Sequence, residues 1–110
     1  MTVAPEEVRS VAAEAARQVR RCYRSPVVPT PARRIVTRLR VRFLPDGNVA
    51  GLPALVFQQN VTAETAPWAG RMAEAATGAV IRCAPYRLPA GLYRGGWDEL
   101  DLTFSPRLLA

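Results

Sequence analysis

Two cysteines, Cys22 and Cys83, are the most reactive side chains in this chain of 110 residues. Each falls on the inner face of a predicted helix, near the end of that helix. As free thiols they would be ordinary small core residues, as is usual for cysteines in the cytosol. As a disulfide they would close a long loop and stabilise the fold by roughly 4 kcal/mol. The residues themselves leave both interpretations open.

The chain lacks the residue types that most catalytic and metal sites need. It has no histidine, and its three serines are Ser10, Ser25 and Ser105. Neither a nucleophile with its base nor a cluster of metal ligands can be assembled from these residues and the acids. Gly91 and Gly95 lack the spacing and the following helix of a phosphate-binding loop. The sequence therefore predicts no enzyme, no metal site and no cofactor.

The positive charge comes from arginine alone. All 15 basic residues are arginine, and the formal net charge is +6. A nucleic-acid-binding surface usually combines both basic residues, because lysine serves phosphate contacts while arginine also reads bases. A composition without lysine indicates a genome-wide bias, and there is no aromatic-studded basic platform for single strands. We expect no nucleic-acid partner, although a small basic nucleic-acid-binding domain remains the alternative from another function class.

Length and hydropathy place residues 1–110 in one domain. Hydrophobic residues make up 49% and charged residues 22%, which is typical of a globular chain. No apolar run is long enough to span a membrane, and the first residues lack the pattern of a signal peptide. We expect either a cytoplasmic protein or targeting elements upstream of residue 1.

An amphipathic helix is predicted from Pro5 to about Tyr23. Pro5 suits the first turn, and Glu6 and Glu7 lie at the positive end of the helix dipole. Small apolar residues recur at helical spacing on one face, while arginines occupy the opposite face. Valine and alanine on the apolar face favour packing on a sheet over binding to a membrane surface.

A proline-rich connector of polyproline character is predicted between Ser25 and Arg34. Its prolines remove amide donors and hold the backbone extended, so the helix cannot continue. Further along, Thr65 can cap a second helix that has Pro67 in its first turn and ends near Cys83.

Period-two alternation predicts three strands. Residues 35–43 alternate apolar side chains with arginines, and a Pro-Asp-Gly-Asn turn leads into a second strand at residues 49–58. Gly51 and Pro53 indicate a bulge or an edge position in that strand. The last strand, residues 99–104, buries three apolar side chains.

Charge predicts the order of the strands. Arg38, Arg40 and Arg42 share the open face of the first strand, and the last strand carries Glu99 and Asp101. Placing these two strands side by side pairs the opposite charges. The predicted fold is α+β, with chain order α-β-β-α-β, a three-stranded antiparallel sheet in the order second, first, last, and two helices on one face.

Several segments, in this order along the chain, resemble the C-terminal domain of TolA, within the TolA/TonB superfamily. They are Val19-Arg20-Arg21-Cys22-Tyr23, Val41-Arg42-Phe43-Leu44-Pro45-Asp46-Gly47, Cys83-Ala84-Pro85-Tyr86-Arg87-Leu88-Pro89, Tyr93, Trp97, and Leu100 to Pro106. The resemblance covers nearly the whole chain from Glu6 onward. TonB-type energy transducers share the fold, and the stretch from Cys83 to Pro89 favours TolA over them.

The resemblance implies a periplasmic domain of the Tol-Pal system, which couples inner-membrane energy to outer-membrane integrity and cell constriction. Such domains bind TolB and Pal, and colicins and filamentous phage coat proteins exploit some of them. They reach the membrane only through an upstream anchor and a long helix, which this sequence lacks, so we expect an excised domain. An oxidising periplasm implies a disulfide between Cys22 and Cys83.

The sheet order suggests how such a domain binds partners. With the first strand central, an extended partner segment can add to a free edge by backbone hydrogen bonds. We favour the last strand, which lacks the interruptions of the second, and place Glu99, Asp101 and Thr103 on the binding edge. Tyr93 and Trp97 are candidate anchors. The alternative is that both aromatic rings cap the core.

Overall fold

The computed structural model describes residues 3–105, and it confirms the predicted α+β class and element order. The helices and strands are α1 (Pro5–Arg20), β1 (Val36–Arg42), β2 (Ala54–Gln59), α2 (Ala66–Arg82) and β3 (Glu99–Phe104). Short helical segments lie at Thr30–Arg34, Ala90–Leu92 and Tyr93–Trp97. In the described part of the chain, no helix has the length and hydropathy to cross a membrane.

Helix α1 begins as predicted and ends earlier. Proline occupies the first turn, and the Ala4 N–H donates to the Glu7 carboxylate at 3.2 Å. The helix ends at Arg20 because the next amides bond one residue closer, with Cys22 N–H donating to the Val19 carbonyl at 3.0 Å. Such tightening is common in a last turn. Tyr23 therefore lies beyond the helix.

The three strands form one antiparallel sheet in the order β2-β1-β3, which confirms the order predicted from charge. Pairing between β1 and β3 is continuous from Thr37 opposite Phe104 to Arg42 opposite Glu99. Pairing between β1 and β2 shifts register, because Val56 is an extra residue in β2. The central strand is thus β1, and β3 is the more regular edge.

Strand β2 is shorter than predicted. It begins at Ala54, and Val49 makes only an isolated bridge with Phe43. The interruption has two causes, since Gly51 has a positive φ of 79° and Pro53 has no amide to donate. The edge position that these residues indicated is present, whereas the bulge in β2 lies later, at Val56.

The proline-rich connector is only partly extended. Residues Thr30–Arg34 form a 3-10 helix, in which Ala32 N–H donates to the Pro29 carbonyl at 2.9 Å. Val28 and Ala32 are buried in a small cluster with Met72 of α2. The expectation of polyproline character is therefore wrong for this helix, because burying the apolar side chains folds the segment back on α2.

Thr65 does not cap α2 with its side chain. Its hydroxyl accepts from the Thr62 N–H at 2.8 Å and donates to the Asn60 carbonyl at 3.1 Å. The side chain therefore closes the loop that precedes the helix. The inner face of α2 is buried, as predicted. Its buried residues are Met72, Ala76, Ala79 and Val80.

One sheet face and the two helices enclose the main core. Leu39 and Val41 of β1 lie there with Leu102 of β3, and the arginines of β1 lie on the opposite face. Tyr86 fills the space beyond α2, where its hydroxyl donates to the Val80 carbonyl at 2.9 Å. Burial raises the pKa of Tyr86. Within residues 3–105, β2 and β3 are the edge strands of the sheet, each paired on one side only.

Gly47 is the position where backbone geometry most requires glycine. Its φ is 90°, Tyr86 N–H donates to its carbonyl at 2.8 Å, and an added Cβ would overlap the Tyr86 carbonyl oxygen. We expect Gly47→Ala to lower the free energy of unfolding by about 3 kcal/mol in urea titrations. Gly51 also has a positive φ but has open space around it, so Gly51→Ala isolates the conformational cost of about 1 kcal/mol. Equal losses in the two variants would contradict the close-contact argument.

Candidate partner-binding edge

The outer edge of β3 is the candidate site. The Phe43 N–H donates to the Asp98 carbonyl at 2.9 Å, which fixes the alternation of hydrogen bonds along this antiparallel pair. By that alternation, the backbone N–H and C=O groups of Leu100, Leu102 and Phe104 point at β1. Asp101 and Thr103 point their N–H and C=O groups away from the sheet. These are the groups with which an added strand would pair.

Asp98 holds the start of β3 in place. Its Oδ1 accepts from the Gly95 N–H at 3.2 Å and from the Glu99 N–H at 3.1 Å. Its own N–H donates to the Tyr93 carbonyl at 2.8 Å. The Glu99 amide is thereby occupied, so the donors available at this edge begin at Asp101.

Ion pairs cross the open face of the sheet between β1 and β3. The Arg40 guanidinium contacts both carboxylate oxygens of Asp101, at 2.9 and 3.2 Å. Glu99 lies 3.6 Å from both Arg40 and Arg42. The Asp101 carboxylate, by its hydrogen bond and its charge, raises the pKa of Arg40. These pairs are solvent-exposed and individually weak, so their main effect is to set which strands are neighbours.

Thr103 completes this arrangement. Arg38 Nε donates to the Thr103 hydroxyl at 3.0 Å, and the Arg38 guanidinium lies 5.0 Å from the centre of the Phe57 ring. The three arginines of β1 are therefore engaged across the sheet and do not form a free basic stripe.

The two candidate aromatic anchors lie against the core. The Trp97 side chain is 1% exposed, and its indole N–H donates to the Pro89 carbonyl at 2.6 Å. The Tyr93 ring meets Trp97 edge to face at 4.7 Å, and its hydroxyl donates to the Phe43 carbonyl at 2.6 Å. This placement fits the interpretation that both rings cap the core. Trp97 offers no ring surface to a partner in this structure.

Cys22 and Cys83 form a disulfide, with their Cα atoms 5.6 Å apart. The bond joins the residues that follow α1 and α2. Beside it, the Gln18 side chain donates to the Arg87 carbonyl at 2.8 Å and accepts from the Arg87 N–H at 2.9 Å. The implied disulfide is thus confirmed, and it joins the two helices at their C-terminal ends beside these hydrogen bonds.

The opposite edge of the sheet, at β2, is less suited to strand addition. Val56 bulges out of the ladder, and a bulge breaks the regular spacing of unpaired backbone groups. Leu55 is 53% exposed and Leu52, before the strand, is 82% exposed. This edge presents apolar side chains on an irregular backbone.

An apolar cavity of about 200 Å³, which the sequence pattern does not predict, lies where β1 begins and β3 ends. Its lining is Tyr23, Ser25, Pro26, Val28, Arg33, Ile35, Thr37, Met72, Phe104 and Ser105. Local periodicity gives no signal for such a cavity, because its walls come from four separate segments. Among residues 3–105, no cluster of His, Cys, Asp and Glu is arranged to hold a metal ion.

Comparisons of the chain with models of protein families, with curated proteins and with solved structures gave no match. The resemblance to the TolA C-terminal domain stays a prediction from the residues quoted for it.

Proposed function

We propose that this chain is a TolA-type partner-binding domain of the Tol-Pal system, acting in the periplasm and binding TolB- and Pal-type proteins. The observation that carries the proposal is the free edge of β3, where Asp101 and Thr103 direct backbone groups outward from a regularly paired strand. An extended partner segment adds there as a fourth strand. Main-chain hydrogen bonds supply affinity, and side chains on either face supply specificity.

The disulfide supports the cellular location in this proposal. Disulfides persist in oxidising compartments such as the bacterial periplasm and are rare in the cytosol. Cys22 and Cys83 are paired here and half-buried. A domain stabilised in this way suits a compartment in which the bond is not reduced.

Substitutions at Thr103 test the proposed edge. We expect Thr103→Pro to weaken binding of a synthetic TolB N-terminal peptide by about tenfold, because it removes an outward N–H and places a ring where the partner backbone would lie. Proline is tolerated at such an edge position, so the sheet should persist. Thr103→Ala also removes the hydroxyl that Arg38 contacts but keeps the N–H, so it should bind like the parent. Amide shifts in heteronuclear NMR titrations give the affinities.

The same spectra locate the peptide. We expect shifts in Glu99–Phe104 and none in Ala54–Gln59. Equal binding by the two Thr103 variants, or shifts confined to β2, would reject the β3 edge. Salt-sensitive binding to DNA or RNA, with no response to the peptide, would favour the nucleic-acid alternative instead.

A further inference from the structure

The apolar cavity at the end of the sheet opens beside the proposed binding edge. Phe104 is the last residue of β3 and Ser105 follows it, and both line the cavity. The Tyr23 ring packs beside the Phe104 ring at a tilt of 32°, with ring centres 6.2 Å apart. A segment that pairs with β3 as far as Phe104 therefore arrives at the cavity.

The cavity is open to solvent on one side, and its lining is mostly apolar. Its apolar walls include Val28, Ile35 and Met72, each buried in the second core cluster. A volume of about 200 Å³ accommodates one large side chain or a small ring system.

The charge around the cavity has one sign. Arg33 lines it and is exposed, and none of the lining residues is acidic. Arg24 is exposed on the segment that supplies Tyr23 and Ser25 to the same wall. An occupant that carries carboxylates beside its apolar group is thus favoured by charge.

We propose that this cavity binds a bulky apolar side chain that is flanked by carboxylates in the partner segment. The inference rests on the proposed function, since it names the chemistry of the partner that adds to β3. The apolar side chain fills the space next to Phe104 and Met72, and a carboxylate pairs with Arg33. The cavity thereby selects among the segments that a bare strand edge would accept.

A short probe tests the cavity separately from strand addition. We expect acetyl-Asp-Phe-Asp-amide, which is too short to pair along β3, to shift the methyl resonances of Val28, Ile35 and Met72 with a dissociation constant on the order of millimolar. Acetyl-Asp-Ala-Asp-amide and acetyl-Lys-Phe-Lys-amide should leave these resonances unchanged. They lack the apolar group and the carboxylates, respectively.

Two neighbouring arginines give a matched pair of variants. Arg33 and Arg34 are both exposed in the same short helix, but only Arg33 lines the cavity. We expect Arg33→Glu to weaken probe binding about fivefold and Arg34→Glu to leave it within twofold. Equal effects of the two reversals would overturn the proposal.

The remaining outcomes separate this inference from the proposed function. Failure of the probe together with successful binding of the TolB peptide at β3 would overturn the cavity inference alone. Probe binding without any response of β3 to the TolB peptide would reject the edge and leave the cavity chemistry supported. Contacts to the Met72 methyl from residues 106–110 of the chain itself would assign the cavity to those residues and overturn the proposal.

Discussion

The double variant Cys22→Ala/Cys83→Ala should lose about 4 kcal/mol of its free energy of unfolding. The disulfide closes a loop that includes the connector, β1, β2 and α2, and removing it restores the entropy of that loop to the unfolded chain. Because small domains have stabilities of only about 5–15 kcal/mol, this is a large fraction of the total. Urea titrations under non-reducing conditions measure the difference.

Reduction of the parent domain provides the control for this prediction. With dithiothreitol, the parent should unfold at nearly the same urea concentration as the double variant, and dithiothreitol should not affect the variant. A loss of less than 1 kcal/mol would show that the residues between the two cysteines contribute little entropy to the unfolded state. A loss of the predicted size would mean that the domain is far less stable in a reducing compartment.

The order of the strands was predictable because charge patterns on open sheet faces are local and easy to read. Three arginines at alternate positions of β1 need acids beside them, and Glu99 and Asp101 stand at matching positions in β3. The element types followed from the periods of the apolar residues. The ends of elements were less predictable, because a few backbone hydrogen bonds determine where α1 ends and where β2 begins.

The contacts between distant segments were not predictable from periodicity. The cavity beside Phe104 needs the connector to fold back on α2, which no local pattern in the connector indicates. The close approach of Gly47 to Tyr86 is likewise set by the tertiary fold. The disulfide was left open by the residues and came from the family resemblance, because helix positions alone do not fix the distance between two cysteines.

Trp97 was a candidate anchor for a partner from the sequence, but tertiary contacts bury its side chain in the core. Its ring meets Phe43 edge to face at 6.1 Å and Tyr93 at 4.7 Å, and its N–H is satisfied by Pro89. We expect Trp97→Ala to lower the free energy of unfolding by about 4 kcal/mol, because it leaves a cavity and an unpaired carbonyl. Trp97→Phe keeps most of the packing and should lose about 2 kcal/mol.

Binding measurements on the conservative variant separate the two roles considered for this tryptophan. If Trp97 caps the core, Trp97→Phe remains folded at low temperature and binds the TolB peptide within twofold of the parent. An anchor role would instead weaken binding tenfold or more while unfolding changed little. Trp68, which is only half-buried beside Arg71, serves as the matched control, and Trp68→Phe should change stability by less than about 1 kcal/mol. Retained binding with lost stability would leave the backbone of β3, rather than an aromatic anchor, as the source of affinity at this edge.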